Sequence, residues 1–203
     1  MADQLTPVPI DLETLGLDVE SCVIIEFAML SVTRELDIVA DFGSRVIHAT
    51  EEQLSVMNDF VRNMHTETGL LDEVRASTLT IDDVDREAVA WLAEQGIDTP
   101  RSGILLGSSC RLDLNFIDKY MPLLAGVLHY RMIDVSSIRE AMLMWQPELV
   151  PPAPLHVQSA DGFTAHRAAS DIRWSLEEAR DLRASIKGAY GLDAAIDGAL
   201  EQD

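Results

Sequence analysis

Basic residues are scarce in this chain. Its 203 residues include 15 Lys and Arg against 35 Asp and Glu, a formal net charge of −20. Binding long nucleic acid by neutralising its phosphates needs a basic surface, so that class is excluded, and an anionic membrane would repel the chain. Cysteine is nearly absent. Cys22 and Cys110 stand alone and share no CxxC spacing, which excludes a disulfide framework or a structural zinc site and reads as two buried thiols in a reducing compartment. Long apolar runs are missing too. Stretches such as 23–25 and 27–30 are far too short to span a bilayer. The first basic residue, Arg34, follows six acids, so no early positive charge marks a targeting peptide, and a cytoplasmic location is expected.

What is present is an ordinary globular composition, 47% apolar and 25% charged. The length suits one domain over 1–203, with 1–6 and 188–203 as loose tails, the second holding four acids and no base. Of the 15 basic residues 13 are Arg, which grips phosphate or carboxylate with two parallel hydrogen bonds as Lys does not.

Residues 5–13 read as an extended segment, although Pro7 and Pro9 argue against a central strand. Residues 23–33 and 38–48 are β-branched and apolar, the second with a bend at Gly43, and short turns join all three into an antiparallel meander. Thr50 and Gln53 fit a capping box that opens a short helix. Helices follow over 69–76, 82–95 (with Val84, Ala88, Trp91 and Leu92 on one face, ended by Gly96), 112–120 (stopped near Pro122) and 168–187. Short strands are expected at 104–106 and 130–135. Ser137 and Glu140 suggest a second capping box, opening a helix that ends at Trp145. Residues 147–165 carry four prolines and read as a long loop. The expected fold class is α/β: a mixed sheet, meander first and α/β units after, flanked by helices.

The chemistry lies in five residues. Asp11 and Glu13 sit two apart on a strand, so both carboxylates share one face and Leu12 takes the other. Two like charges on one face are costly without a cation between them. Asp113 opens the helix after Gly107, Ser108 and Ser109. His166 stands where the long loop gives way to the last helix, and Asp171 lies in that helix's first turns. Singly, these are a solvent-facing acid pair, two favourable charges at helix N-termini and a surface histidine. Together they supply four hard oxygen ligands, which select Mg²⁺ or Mn²⁺ over zinc, and one base. Two such ions about 3.5–4 Å apart clamp the attacking and leaving oxygens of a phosphoryl displacement, while a histidine takes the proton of the attacking water.

The acidic pair, the later Asp and the His-x4-Asp pattern resemble the DEDDh 3′-to-5′ exonucleases, whose fold is ribonuclease H-like. Flanking segments narrow the resemblance to the oligoribonucleases: Ile10-Asp-Leu-Glu13, Gly16-Leu-Asp18, Ile24-Ile-Glu26, His65-Thr66, Gly69-Leu70, Val74-Arg-Ala-Ser-Thr78, Lys119-Tyr-Met-Pro122, His129-Tyr-Arg131, Ile133-Asp-Val-Ser136 and Asp171-Ile-Arg173. They run from residue 10 to about 187. The resemblance implies that Asp11, Glu13, Asp113 and Asp171 hold two divalent ions, Mg²⁺ or Mn²⁺, with His166 as general base. It implies that Leu17 wedges between two bases and that Phe60, in the place of a Trp, stacks on one. His65, Ser109, Arg131 and Ser136 match polar positions near the 3′-terminal nucleotide and its phosphate. Tyr130 would reach across a homodimer interface to the neighbouring site. The implied substrates are RNAs of two to a few nucleotides. Departures from the family text are Leu15 for Thr, Pro9 for an aromatic and Ser108 for Asn; Pro9 is expected to distort the first strand. Two other readings stay open: a DEDDh proofreading or single-stranded DNA exonuclease, and a non-catalytic relative that binds a dinucleotide or a protein.

Overall fold

The computed structural model describes residues 5–159 and 162–191. Five strands form one sheet: β1 (Thr6–Thr14), β2 (Ile24–Val32), β3 (Ile38–Val46), β4 (Gly103–Gly107) and β5 (Leu128–Asp134). Their order is β3-β2-β1-β4-β5. β1, β2 and β3 pair antiparallel as the expected meander, and β4 and β5 extend the sheet parallel to β1. The bend foreseen at Gly43 is a bulge, where a φ of +77° suits glycine and the register with β2 shifts between Met29 and Leu30.

β1 is the central strand, contrary to the expectation drawn from its prolines. The reason is how the strand divides its partners. Thr6–Pro9 pair with β4, and Ile10–Thr14 pair with β2. The Thr6 N–H donates to Ser102, so alternation turns the donors of Thr6, Val8 and Ile10 toward β4. The nitrogens of Pro7 and Pro9 face the other edge, outside the stretch that pairs with β2, and no ladder bond is lost. Nor does Pro9 distort the strand, which runs unbroken from Thr6 and shifts register only between Glu13 and Thr14. Thr6 thus belongs to the sheet and not to an N-terminal tail.

Nine helices are described: α1 (Glu51–Leu54), α2 (Asp59–Glu67), α3 (Leu70–Ala76), α4 (Ile81–Glu94), α5 (Arg111–Tyr120), α6 (Pro122–Val127), α7 (Val135–Trp145), α8 (Leu155–Gln158) and α9 (Ala168–Ala189). Thr50 and Gln53 form the expected capping box of α1. Pro122 opens α6 as well as following α5. Its ring suits the first helical turn, and buried Asp85 of α4 accepts the N–H groups of Leu123 and Leu124. The expected box at Ser137 is not formed. α7 begins three residues earlier, capped by Asp134, whose carboxylate accepts from the Ser137 N–H and hydroxyl. The loop 147–165 contains a 3₁₀ turn (Pro147–Leu149) and α8. The last helix continues through Gly188 to Ala189, and residues 192–203 of the expected acidic tail lie outside the described residues.

The sheet buries one apolar cluster on each face. Val8, Ile10 and Leu12 of β1 point into the first, with Phe27, Leu54, Leu92 and Phe116. Ala28, Leu30 and Leu106 point into the second, under α7 and α9. Leu15, a departure from the family text, is fully buried in the first cluster.

Candidate active site

Alternation along β1 sends Leu12 into the core and leaves Asp11 and Glu13 together on the opposite face, beneath the start of α9. Asp171 sits in the first turn of α9, where the helix dipole favours an anion. Asp11, Glu13 and Asp171 each place one carboxylate oxygen within 4.8 Å of the others. Asp113, buried in the first turn of α5, lies outside that group of three yet is the strongest charge acting on Asp11. Gly107 lets β4 approach closely here: a Cβ on it would stand 3.0 Å from the Ile10 carbonyl oxygen.

This crowding is electrostatically costly. Burial, then Asp113, Asp171, Glu13 and Glu26, push the Asp11 carboxyl well above the ordinary range. Burial and the same neighbours raise Glu13 from 4.5 to about 8, with Arg167 opposing. Burial lifts Asp113 to about 7, against hydrogen bonds from backbone amides of residues 113 and 12. Asp171 is raised by burial, while His166 pulls it back. Carboxylates that repel one another at neutral pH, all hard oxygen donors, fit a divalent cation such as Mg²⁺ or Mn²⁺.

His166 is exposed beside this group in a left-handed conformation, φ +60°. Its backbone N–H donates to Asp171 Oδ2 at 3.0 Å. The structure thus joins all five chemical residues at one end of β1.

Further residues divide into three groups. Leu17 is 79% and Phe60 75% exposed, so neither is a core residue. Leu17 sits on the β1–β2 loop, which the end of α5 holds in place. Lys119 Nζ donates to Val19 O at 2.8 Å, and the Tyr120 hydroxyl is shared between Val19 O and Cys22 O. His65 is fully buried beneath the site and not on its surface. Its Nε2 donates to Thr14 O at 3.0 Å, tying α2, which carries Phe60, to the end of β1. Its Nδ1 faces Glu13 Oε2 at 4.0 Å with no hydrogen-bond partner.

Ser109 and Ser136 meet at 3.5 Å between their hydroxyl oxygens. Asp134 arranges them: its Oδ1 accepts the N–H of Ser109, which is held at φ +56°, while the same carboxylate caps α7. Ser108 accepts from the Ser175 hydroxyl of α9 at 2.8 Å, so the shorter side chain still links the β4–α5 turn to α9. Tyr130 and Arg131 are exposed on β5, an edge strand. Tyr130 packs on His129, ring centroids 4.3 Å apart, and the Arg131 guanidinium lies 5.5 Å from the Tyr130 ring.

Sequence reasoning missed one cluster. Glu26, in an apolar strand, pairs across the ladder with Glu13 and binds Arg167, the residue after His166. A charge inside the run 23–32 was the available signal.

Comparison with known proteins agrees with this geometry. A family model described as "Exonuclease" matches residues 8–179. An oligoribonuclease of Corynebacterium diphtheriae is 41% identical over 83% of this chain and 77% of its own length. One from Mycobacterium bovis is 40% identical over 89% of this chain and 80% of its own. Among solved structures, the Mg²⁺- and Mn²⁺-bound form of Pop2p from S. pombe superposes with a TM-score of 0.65 at 12% identity, over 89% of this chain and 83% of that one. Exonuclease I of E. coli in complex with a dA16 oligonucleotide gives 0.63 at 18%, over 89% and 41%. At those identities the likeness speaks for the fold, which is the ribonuclease H-like mixed sheet. On the family match and the level of identity to its curated relatives, this chain belongs to the DEDDh exonucleases, in the oligoribonuclease group.

Proposed function

We propose that this protein is a metal-dependent 3′-to-5′ exoribonuclease that hydrolyses very short RNAs, dinucleotides above all, to 5′-mononucleotides. The observation that carries the reading is the joining of Asp11, Glu13 and Asp171 within 4.8 Å, beside exposed His166 and buried Asp113. The four acids would hold two ions, Mg²⁺ or Mn²⁺. When bound, those ions supply positive charge that offsets the negative charge gathering on the phosphoryl oxygens and the leaving oxygen. His166 takes the proton of the attacking water at its imidazole, and its backbone bond to Asp171 sets where the ring stands.

Phe60 and Leu17 present apolar surface to bases at no cost to the core, and an aromatic face stacks on any base. Arg131, Ser109 and Ser136 offer charge-assisted and neutral hydrogen bonds to a terminal phosphate and ribose. His65, being fully buried, makes no substrate contact and acts only by tying α2 to the end of β1. Tyr130, 64% exposed on an edge strand, is placed to meet a second protomer, and the working unit is a homodimer. Each protomer acts as one exonuclease domain over the whole chain. Among the described residues no helix is long and apolar enough to cross a membrane.

The charge of −20 limits the length of the RNA and not the chemistry. A dinucleotide carries too few phosphates to need a basic groove, whereas a long strand would be repelled along its length. The test is hydrolysis of a 5′-phosphorylated diribonucleotide in Mg²⁺ or Mn²⁺. Turnover should cease in EDTA and fall to background in Asp113→Ala and Asp171→Ala. Wild-type turnover in chelator would overturn the two-metal reading.

A further inference from the structure

α9 starts without a cap of its own. Arg167 occupies the cap position and offers the helix no side-chain hydrogen bond. Glu26, reaching across from β2, accepts the Ala168 N–H at 3.1 Å in its place. The Arg167 guanidinium then binds both Glu26 oxygens through Nε and Nη2 at 3.0–3.2 Å, and both Glu73 oxygens of α3 through Nη1 and Nη2 at 2.8–3.0 Å. Ser44 of β3 donates to Glu26 as well. Through Glu26, β3 and the start of α9 join β2, and the guanidinium ties that carboxylate to α3; its planar fork serves two carboxylates at once in a way that a lysine ammonium cannot.

The residue before it is His166. A left-handed φ is disfavoured for any residue with a Cβ and persists only where the surroundings impose it. On one side the His166 N–H is bonded to Asp171, and on the other Arg167 is fixed to the sheet and to α3. The imidazole is exposed, so the backbone and not a packed pocket determines its place.

We propose that Arg167 is a positioning residue for His166, its guanidinium shared between Glu26 and Glu73 so that the preceding residue is held in its left-handed turn beside Asp171. Arg167 touches no reacting atom and acts through His166. The inference rests on His166 being the base, and its test separates the two.

Diribonucleotide kinetics are measured for Arg167→Met, Arg167→Lys and Glu73→Gln, each in the wild-type and the His166→Ala backgrounds. Mn²⁺ binding is followed by calorimetry. A base displaced by about 1 Å loses roughly 100-fold in rate, so Arg167→Met should lower kcat by about that factor with KM retained and Mn²⁺ still bound. Arg167→Lys should recover part of the loss, and Glu73→Gln should show a smaller one. In His166→Ala, which has no ring to misplace, Arg167→Met should add no further loss. Arg167→Met strands the buried Glu26 carboxylate, so Arg167→Met/Glu26→Gln, which removes both charges, provides a second folded variant with the same expectation. Unchanged kcat in either folded variant, or an equal loss in the presence and absence of His166, would overturn the proposal. Full turnover in His166→Ala alone would instead remove the reading on which it rests.

Discussion

Substituting Glu13 by Gln should stabilise the metal-free protein while abolishing its activity. The Glu13 carboxyl titrates at 4.5 when unfolded and at about 8 in the fold. Between those values the folded chain binds more protons than the unfolded one, so stability falls as pH rises through the window, by about 1.4 kcal/mol per pH unit. At pH 7 the window has been crossed by about 2.5 units, a cost of about 3 kcal/mol to the empty site. Gln at this position keeps the shape and carries no charge, so the cost disappears. For a chain of this size about 3 kcal/mol corresponds to a rise in Tm of roughly 6–12 °C. The assay is thermal melting in EDTA at pH 7 and pH 5. The gap between variant and wild type should shrink below about 1 kcal/mol at pH 5, close to the unfolded value. Excess Mg²⁺ should narrow or invert the order, because binding stabilises only a protein that retains its ligands. A Gln variant that melts no higher than wild type at pH 7 in EDTA would refute the crowded-carboxylate account.

Other outcomes follow from the same geometry. His166→Ala should lower kcat by about 10²–10⁴-fold, the range of general base catalysis, with Mn²⁺ affinity preserved in calorimetry. Phe60→Ala should raise the dinucleotide KM roughly tenfold, from about 1–3 kcal/mol of lost stacking; the melting temperature should not move, because the ring is exposed. Asp134→Ala should cost about 1 kcal/mol through the lost cap of α7, read by denaturant melting. It should also weaken substrate binding, because Ser109 loses the bond that orders its turn.

The sheet and the gathering of the candidate residues were legible because their signals are local. β-branched runs gave the meander, alternation placed Asp11 and Glu13 on one face, and Thr50 with Gln53 marked α1. Failures came where distant groups decide. α6 opens at a proline that reads as a stop, and its free amides are satisfied by Asp85, about 38 residues away. α2 escaped notice because its one buried residue is a histidine, not part of an apolar stripe. The prolines of β1 argued against a central strand, yet each half of that strand pairs with a different neighbour. At α7 two short polar side chains compete to cap, and Asp134 prevails by also accepting from Ser109. The bond from Arg167 to Glu26 spans 141 residues, and no spacing rule reports it.

The central claim is that four acids and one histidine serve the shortest RNA substrates. The most direct measurement is initial rate against substrate length, from a 5′-phosphorylated diribonucleotide to a twenty-nucleotide RNA and the matching single-stranded DNA, in Mg²⁺, Mn²⁺ and EDTA. The account predicts that the dinucleotide is turned over fastest, that the rate falls steeply with length, and that chelator abolishes it. A rate that holds or rises toward twenty nucleotides, in RNA or DNA, would contradict it.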